Sequence, residues 1–221
     1  MPKRTRARYD QNYAAIEDDI LKMGALVQDA IRNSLESLKQ RDTNLAQEVI
    51  DRDLRINDLR FKIEEACLTL IATQQPTAGD LRAVVAAMNI VVDMERMADH
   101  ASGIAKTVIR MGDEPLLKPL IDLPRMADLA REMLSGALDA FIKRDAPAAK
   151  AIAPRDEEMD LLYKAIFDEL VEIMAHKPDS VERATYLLWC AHNLERIGDR
   201  AINIVERVIF MTTGDMKELT F

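Results

Sequence analysis

The chain has 221 residues, 48% of them hydrophobic and 5% aromatic, with few glycines and prolines and a surplus of alanine, leucine, isoleucine and methionine. That balance belongs to an all-α protein. A formal net charge of −8 excludes a nucleic-acid-binding body, which needs a basic face to displace counterions.

The N-terminal KRTRAR, residues 3–8, is the one basic cluster. It reads either as an arm for anionic lipid or nucleic acid or as a frayed, solvated terminus, and the disorder common at chain ends favours the second. No apolar stretch of signal-peptide type follows it. An apolar stripe then runs through Ile16, Ile20, Met23, Val27, Ile31, Leu35 and Leu38 at three- and four-residue spacing, which predicts one long amphipathic helix. The stripe stops near Arg41, where Asp42 can cap a second helix that runs to Gln75. Pro76 breaks that helix, and a third follows from about Ala78 or Asp80 to Met111. GDEPLLKPLIDLP, residues 112–124, reads as a linker. Three more helices are expected, at about 125–143, 146–176 and 179–213, with a kink or late start at Pro154. AVVAAMNIVV, residues 83–92, is too short and too polar to span a membrane. Cys67 and Cys190 belong to no CxxC pair and are expected as buried, reduced thiols. A soluble, cytoplasmic protein is the expectation.

The second three helices repeat the first three. KQRDTNLAQEVIDRD (39–53) aligns without a gap on IKRDAPAAKAIAPRD (142–156), pairing Asp42 with Asp145 and Asp53 with Asp156. DMERMADHA (93–101) aligns on NLERIGDRA (193–201), and the copies agree at about half their positions from Glu95 to Met111. The small change of offset falls at the turn, where QQPTAGD is longer than HKPDS. Two homologous three-helix units follow, residues 9–111 and 125–213.

The repeat carries acidic pairs at i and i+4: Glu95 with Asp99, Glu195 with Asp199, and Asp156 with Asp160, with Asp53 and Asn57 at the matching place in the first unit. Such a pair projects from one helix face, and its like charges weaken an isolated helix. Asp53 and Asp156 also sit where the apolar period calls for a hydrophobic residue, and a carboxylate there needs a cation or a set of donors. Two readings stand. The carboxylates ligate a hard or borderline cation such as Mg²⁺, Mn²⁺, Ca²⁺ or iron, with His192 one turn before Glu195 as a possible further ligand. Or they pair with the adjacent Arg52, Arg96, Arg155 and Arg196 as ordinary surface ion pairs. His100 and His176 read as surface residues, and Trp189 and the methionines as core and rim. No histidine follows a Glu by three residues as a di-iron bundle requires, and there is no HExxH, phosphate loop or Cys/His nucleophile arrangement. No catalytic site is expected.

ERMADHA and ERIGDRA, the QPTAGDLR turn (75–82) and the helices opening on RDLRINDL and RDEEMDLL together resemble the PhoU family of phosphate-uptake regulators, from about Tyr9 to Met211. The resemblance implies an all-α fold of two three-helix bundles related by a pseudo-two-fold. It also implies metal clusters on E(D)xxxD motifs, carried here by Glu95, Asp99, Glu195, Asp199, Asp156 and Asp160, with Asp53 and Asn57 meeting the pattern by half. It further implies contacts with the ATPase subunit of the phosphate ABC transporter and with a sensor histidine kinase, restraint of uptake, and repression of the phosphate-starvation genes. A homodimer is expected, with the membrane reached only through the partners. The competing expectation is a metal-binding or purely structural helical bundle without a phosphate-signalling role.

Overall fold

Where the apolar stripe of the first helix turns inward, every one of its seven residues is buried, from Ile16 to Leu38. In the computed structural model residues 3–215 are described, and among them seven α-helices and no strand occur: α1 (Lys3–Gln40), α2 (Thr43–Gln74), α3 (Gly79–Met111), α4 (Asp122–Lys143), α5 (Ala146–Lys150), α6 (Pro154–His176) and α7 (Val181–Thr213). α1, α2 and α3 pack on one another, as do α4, α6 and α7, with α5 against α4 and α7. The two bundles share one hydrophobic core, joined along α3 and α7 and along α1 and α4. Burying each large aliphatic side chain contributes about 1.5–3 kcal/mol.

Helix ends follow the local chemistry. Asp42 accepts from the backbone N–H groups of Asn44 and Leu45, at 2.9 and 3.0 Å, a cap that contributes about 1 kcal/mol. The same device recurs in the second unit: Asp145 accepts from the Ala148 N–H at 2.9 Å. Arg41 and Arg144 both take left-handed backbone, with φ of 56° and 52°, and Asp42 N–H to Ser37 and Asp145 N–H to Ala140 close matching turns at 2.9 Å. The duplication read from the sequence is thus repeated at the first turn of each unit, less the bond from Asn44, whose counterpart Pro147 has no N–H.

The late start expected at Pro154 is present, and two other boundaries differ from expectation. The chain between Ala146 and His176 is interrupted after Lys150, and α6 starts at Pro154, where a residue without an N–H costs nothing. α4 begins at Asp122 rather than 125, so Pro124, expected in the linker, lies in its first turn. The N-terminal cluster is not a loose end: α1 is helical from Lys3, and Arg6 pairs with Asp10 and with Asp80 at the start of α3. Tyr9 is buried beside it and its hydroxyl donates to the Asp80 carbonyl at 3.1 Å. No helix among the described residues is long and apolar enough to cross a membrane. Cys67 and Cys190 are buried free thiols, and burial pushes both up to about 12.

The pseudo-two-fold is written into the α3–α7 contact. His100 Nδ1 lies 3.1 Å from Asn193 Oδ1, while Arg200 Nη1 lies 3.7 Å from Asp93. Adding 100 to one member of each pair and subtracting it from the other turns the first contact into the second. The sums of the residue numbers are equal, so the helices cross antiparallel. Gly103 permits the approach: a Cβ there would stand 2.9 Å from Asn193 Oδ1.

Candidate metal sites on two acidic helix pairs

Each unit gathers its acidic residues where one helix faces another. In the second unit Asp156 and Asp160 on α6 meet Glu195 and Asp199 on α7. Asp156 is held up to about 6 by burial first, then by the charges of Asp160 and Asp199. Asp160 is raised by burial and by Asp199. Glu195 is raised by burial, then by Asp199, against the pull of Arg196. These mutual shifts are the signature of like charges crowded at a partly dry seam. Met159 fills the space beside Gly198, its Cγ 3.1 Å from where a Cβ would stand, which lets α6 and α7 bring the four carboxylates together.

The first unit has the same plan with less charge. Asp53 on α2 is half-buried and raised by burial, then by Asp99 and Glu95 of α3, with Lys106 opposing. Asn57 occupies the place of Asp160 on the repeat and is also half-buried. The structure therefore brings together the residues that sequence spacing singled out, three in the first cluster and four in the second.

Arginines compete for these carboxylates, though mostly not those adjacent in sequence. Arg60 of α2 reaches Glu95 at 3.1 Å and Glu64 at 3.2 Å. Arg196 pairs with Asp199 and stands 3.5 Å from Glu195. Arg52 turns instead to Glu48, and Arg155 to Glu132 and Glu158. The ion-pair reading thus holds for Arg196 alone of the four neighbours. Glu195 Oε2 is buried and makes no hydrogen bond among the described residues; Arg196 Nε at 3.5 Å is its nearest cation. His192 is exposed, its Nδ1 3.6 Å from Glu195. Among the described residues no three Asp, Glu, His or Cys side chains converge into an arrangement ready to hold a metal ion. The donor chemistry fits a hard cation, while Arg60 is paired with Glu95 and Arg196 with Asp199.

Several residues at the seam between the units escaped sequence reasoning. Asp93 is buried and raised chiefly by burial, with the Asn203 amide donating to it at 3.1 Å and Arg200, Arg96 and Arg207 opposing the shift. Its signal was present: Asp93 falls between Ile90 and Met94 on the inward stripe of α3. His100, expected at the surface, is half-buried against Asn193, and burial lowers it. Trp189, expected with the methionines as core and rim, lies at the rim, 43% exposed, edge-on to Tyr186 and 5.9 Å from the Arg110 guanidinium. These side chains face across a pseudo-dyad that no single helix reveals.

Comparison with known proteins fits this geometry. The PhoU domain model matches residues 20–108 and again 123–208. The phosphate-specific transport system accessory protein PhoU homolog of Clostridium acetobutylicum is 35% identical, over 97% of this chain and 99% of its own length. That of Caulobacter vibrioides is 36% identical, over 100% of this chain and 95% of its own. The crystal structure of PhoU from Pseudomonas aeruginosa superposes with a TM-score of 0.89 at 32% identity, covering 94% of this chain and all of that one. A repeated match in both units, relatives aligned end to end and a solved structure of the same fold lead to one conclusion: the chain belongs to the PhoU family.

Proposed function

We propose that this protein is a cytoplasmic negative regulator of phosphate uptake and of the phosphate-starvation response. It acts by protein contacts with the ATPase subunit of a phosphate ABC transporter and with a sensor histidine kinase, so that the state of the transporter reaches the kinase through a shared adaptor. The observation that carries this reading is the match to phosphate-specific transport accessory proteins along the whole chain. The architecture supports an adaptor: α1, α2, α3 and α7 each run more than 30 residues, about 50 Å at 1.5 Å per residue, and lock to one another across the α3–α7 seam. The role is regulatory rather than catalytic.

Within this reading the acidic clusters stabilise the bundles. Asp156, Asp160, Glu195 and Asp199 would hold a divalent or iron-type cation, and Asp53, Glu95 and Asp99 would hold another with one carboxylate fewer. A bound cation would supply charge neutralisation and no more; the chain's own part is to hold four like charges together at the α6–α7 seam. The exposed Leu161, Phe167 and Val171 of α6 suit a homodimer contact. The test is co-purification of the tagged protein from phosphate-replete cells. Retention of the transporter ATPase subunit and the kinase through washing is expected, and absence of both from the eluate would remove the reading.

A further inference from the structure

Leu54, Phe61 and Leu68 of α2 are 67%, 59% and 56% exposed, and seven residues separate each from the next. At 3.6 residues per turn, seven residues return to within about 20° of the same direction. The three therefore form one straight apolar ridge about 21 Å long on the outer face of α2. Such a stripe on a polar helix marks a surface that something covers.

The internal repeat shows that the fold does not require it. At the offset that places Asp53 on Asp156, the equivalent positions of α6 hold Glu157, Lys164 and Val171. The ridge is thus a property of one copy and not of the architecture.

Its borders identify the occupant. Asp58 and Glu65 run along one side, both exposed and without an ion-pair partner among the described residues. Asn57 and Glu64 run along the other, where Arg60 holds Glu64 at 3.2 Å and lies 5.0 Å from the centre of the Phe61 ring, so the free acidic border is the Asp58–Glu65 side. Lys62 and Arg55, seven residues apart, lie further round the helix; Lys62 is taken by Asp19 at 2.7 Å, and Arg55 is exposed. We propose that this ridge docks a basic amphipathic helix of a different protein, at least two heptads long, with its apolar stripe on Leu54, Phe61 and Leu68 and its Lys or Arg flanks against Asp58 and Glu65. A second copy of this chain fits poorly: antiparallel two-fold pairing of α2 sets the Asp58 and Glu65 edge against that of the copy, parallel pairing sets it against the Asn57 and Glu64 edge, and opposed like charges are costly. An anionic membrane surface is repelled by the same flanks. This inference rests on α2 alone and does not require the phosphate-signalling reading.

The test places a photoreactive p-benzoylphenylalanine at Phe61 of the full chain in living cells and sequences the cross-linked peptide. The expected result is one segment of another protein, positively charged, with apolar residues at three- and four-residue spacing. The same probe at Lys164 does not capture that segment. A synthetic peptide of the captured sequence binds the purified protein and loses about tenfold or more in affinity with Phe61→Ser, and likewise with Asp58→Lys and Glu65→Lys together. The melting temperature stays where it was, because Phe61 is outside the core. Cross-linking to a second copy, to lipid, to a neutral or acidic segment or to nothing overturns the proposal, and so does peptide binding that survives Phe61→Ser.

Discussion

Asp156→Asn is expected to move the melting temperature in opposite directions with and without metal. In the chelated protein Asp156 is a half-buried carboxylate beside Asp160 and Asp199, held up to about 6. A raised acid titrates between its ordinary value of 3.8 and its folded one, and over that window the folded state binds the proton more tightly. Stability from this group therefore falls as the pH rises from about 4 to about 6 and stays low above it. The amide removes the charge, so the chelated variant should melt above the parent at pH 7, and the gap should close on acidification to about pH 4. With a saturating cation the order reverses. A ligand bound only by the folded state at a hundredfold over its Kd adds about 2.7 kcal/mol, and a site short of one carboxylate forfeits much of it. Asp199→Asn should likewise lower both bound metal and the metal-loaded melting temperature. Melting curves that shift alike in both conditions, with metal content unchanged, would show the carboxylates to be no ligands.

The second large effect lies in the core. Phe141 on α4 is fully buried, and Phe141→Ala should cost about 3–5 kcal/mol in lost burial and cavity formation. For a chain of this size that amounts to a fall of about 10 °C in melting temperature. Leu54→Ala is the matched control, since Leu54 is an apolar residue outside the core, and its effect on stability should be near zero. Urea denaturation reads both. A Phe141→Ala loss below about 1 kcal/mol would mean that α4 packs less closely than described.

Most of the architecture was legible because the signals are local. The α1 stripe, the Asp42 cap, the Pro76 break and the late start at Pro154 each depend on residues within a turn or two of one another. The duplication was legible because Asp42 and Asp145, and Asp53 and Asp156, keep one offset. Helix starts were harder: Pro124 reads as linker, yet proline in a first helical turn is tolerated. Of the acidic positions, the sequence identified which residues share a face but not which cations neutralise them. Arg60 lies 35 residues from Glu95, and only the α2–α3 packing makes them neighbours. Asp93 escapes the sequence reading and His100 departs from it for a related reason. Polar residues on an inward stripe become intelligible only once Asn203, Arg200 and Asn193 arrive from a helix about a hundred residues away, across the pseudo-dyad.

The regulatory role is tested most directly by deleting the gene and assaying alkaline phosphatase and phosphate uptake in phosphate-rich medium. Derepressed phosphatase with excess uptake, both restored by the intact gene, is the predicted result. Unchanged phosphatase and uptake, in a strain without a second gene of the family, would contradict it.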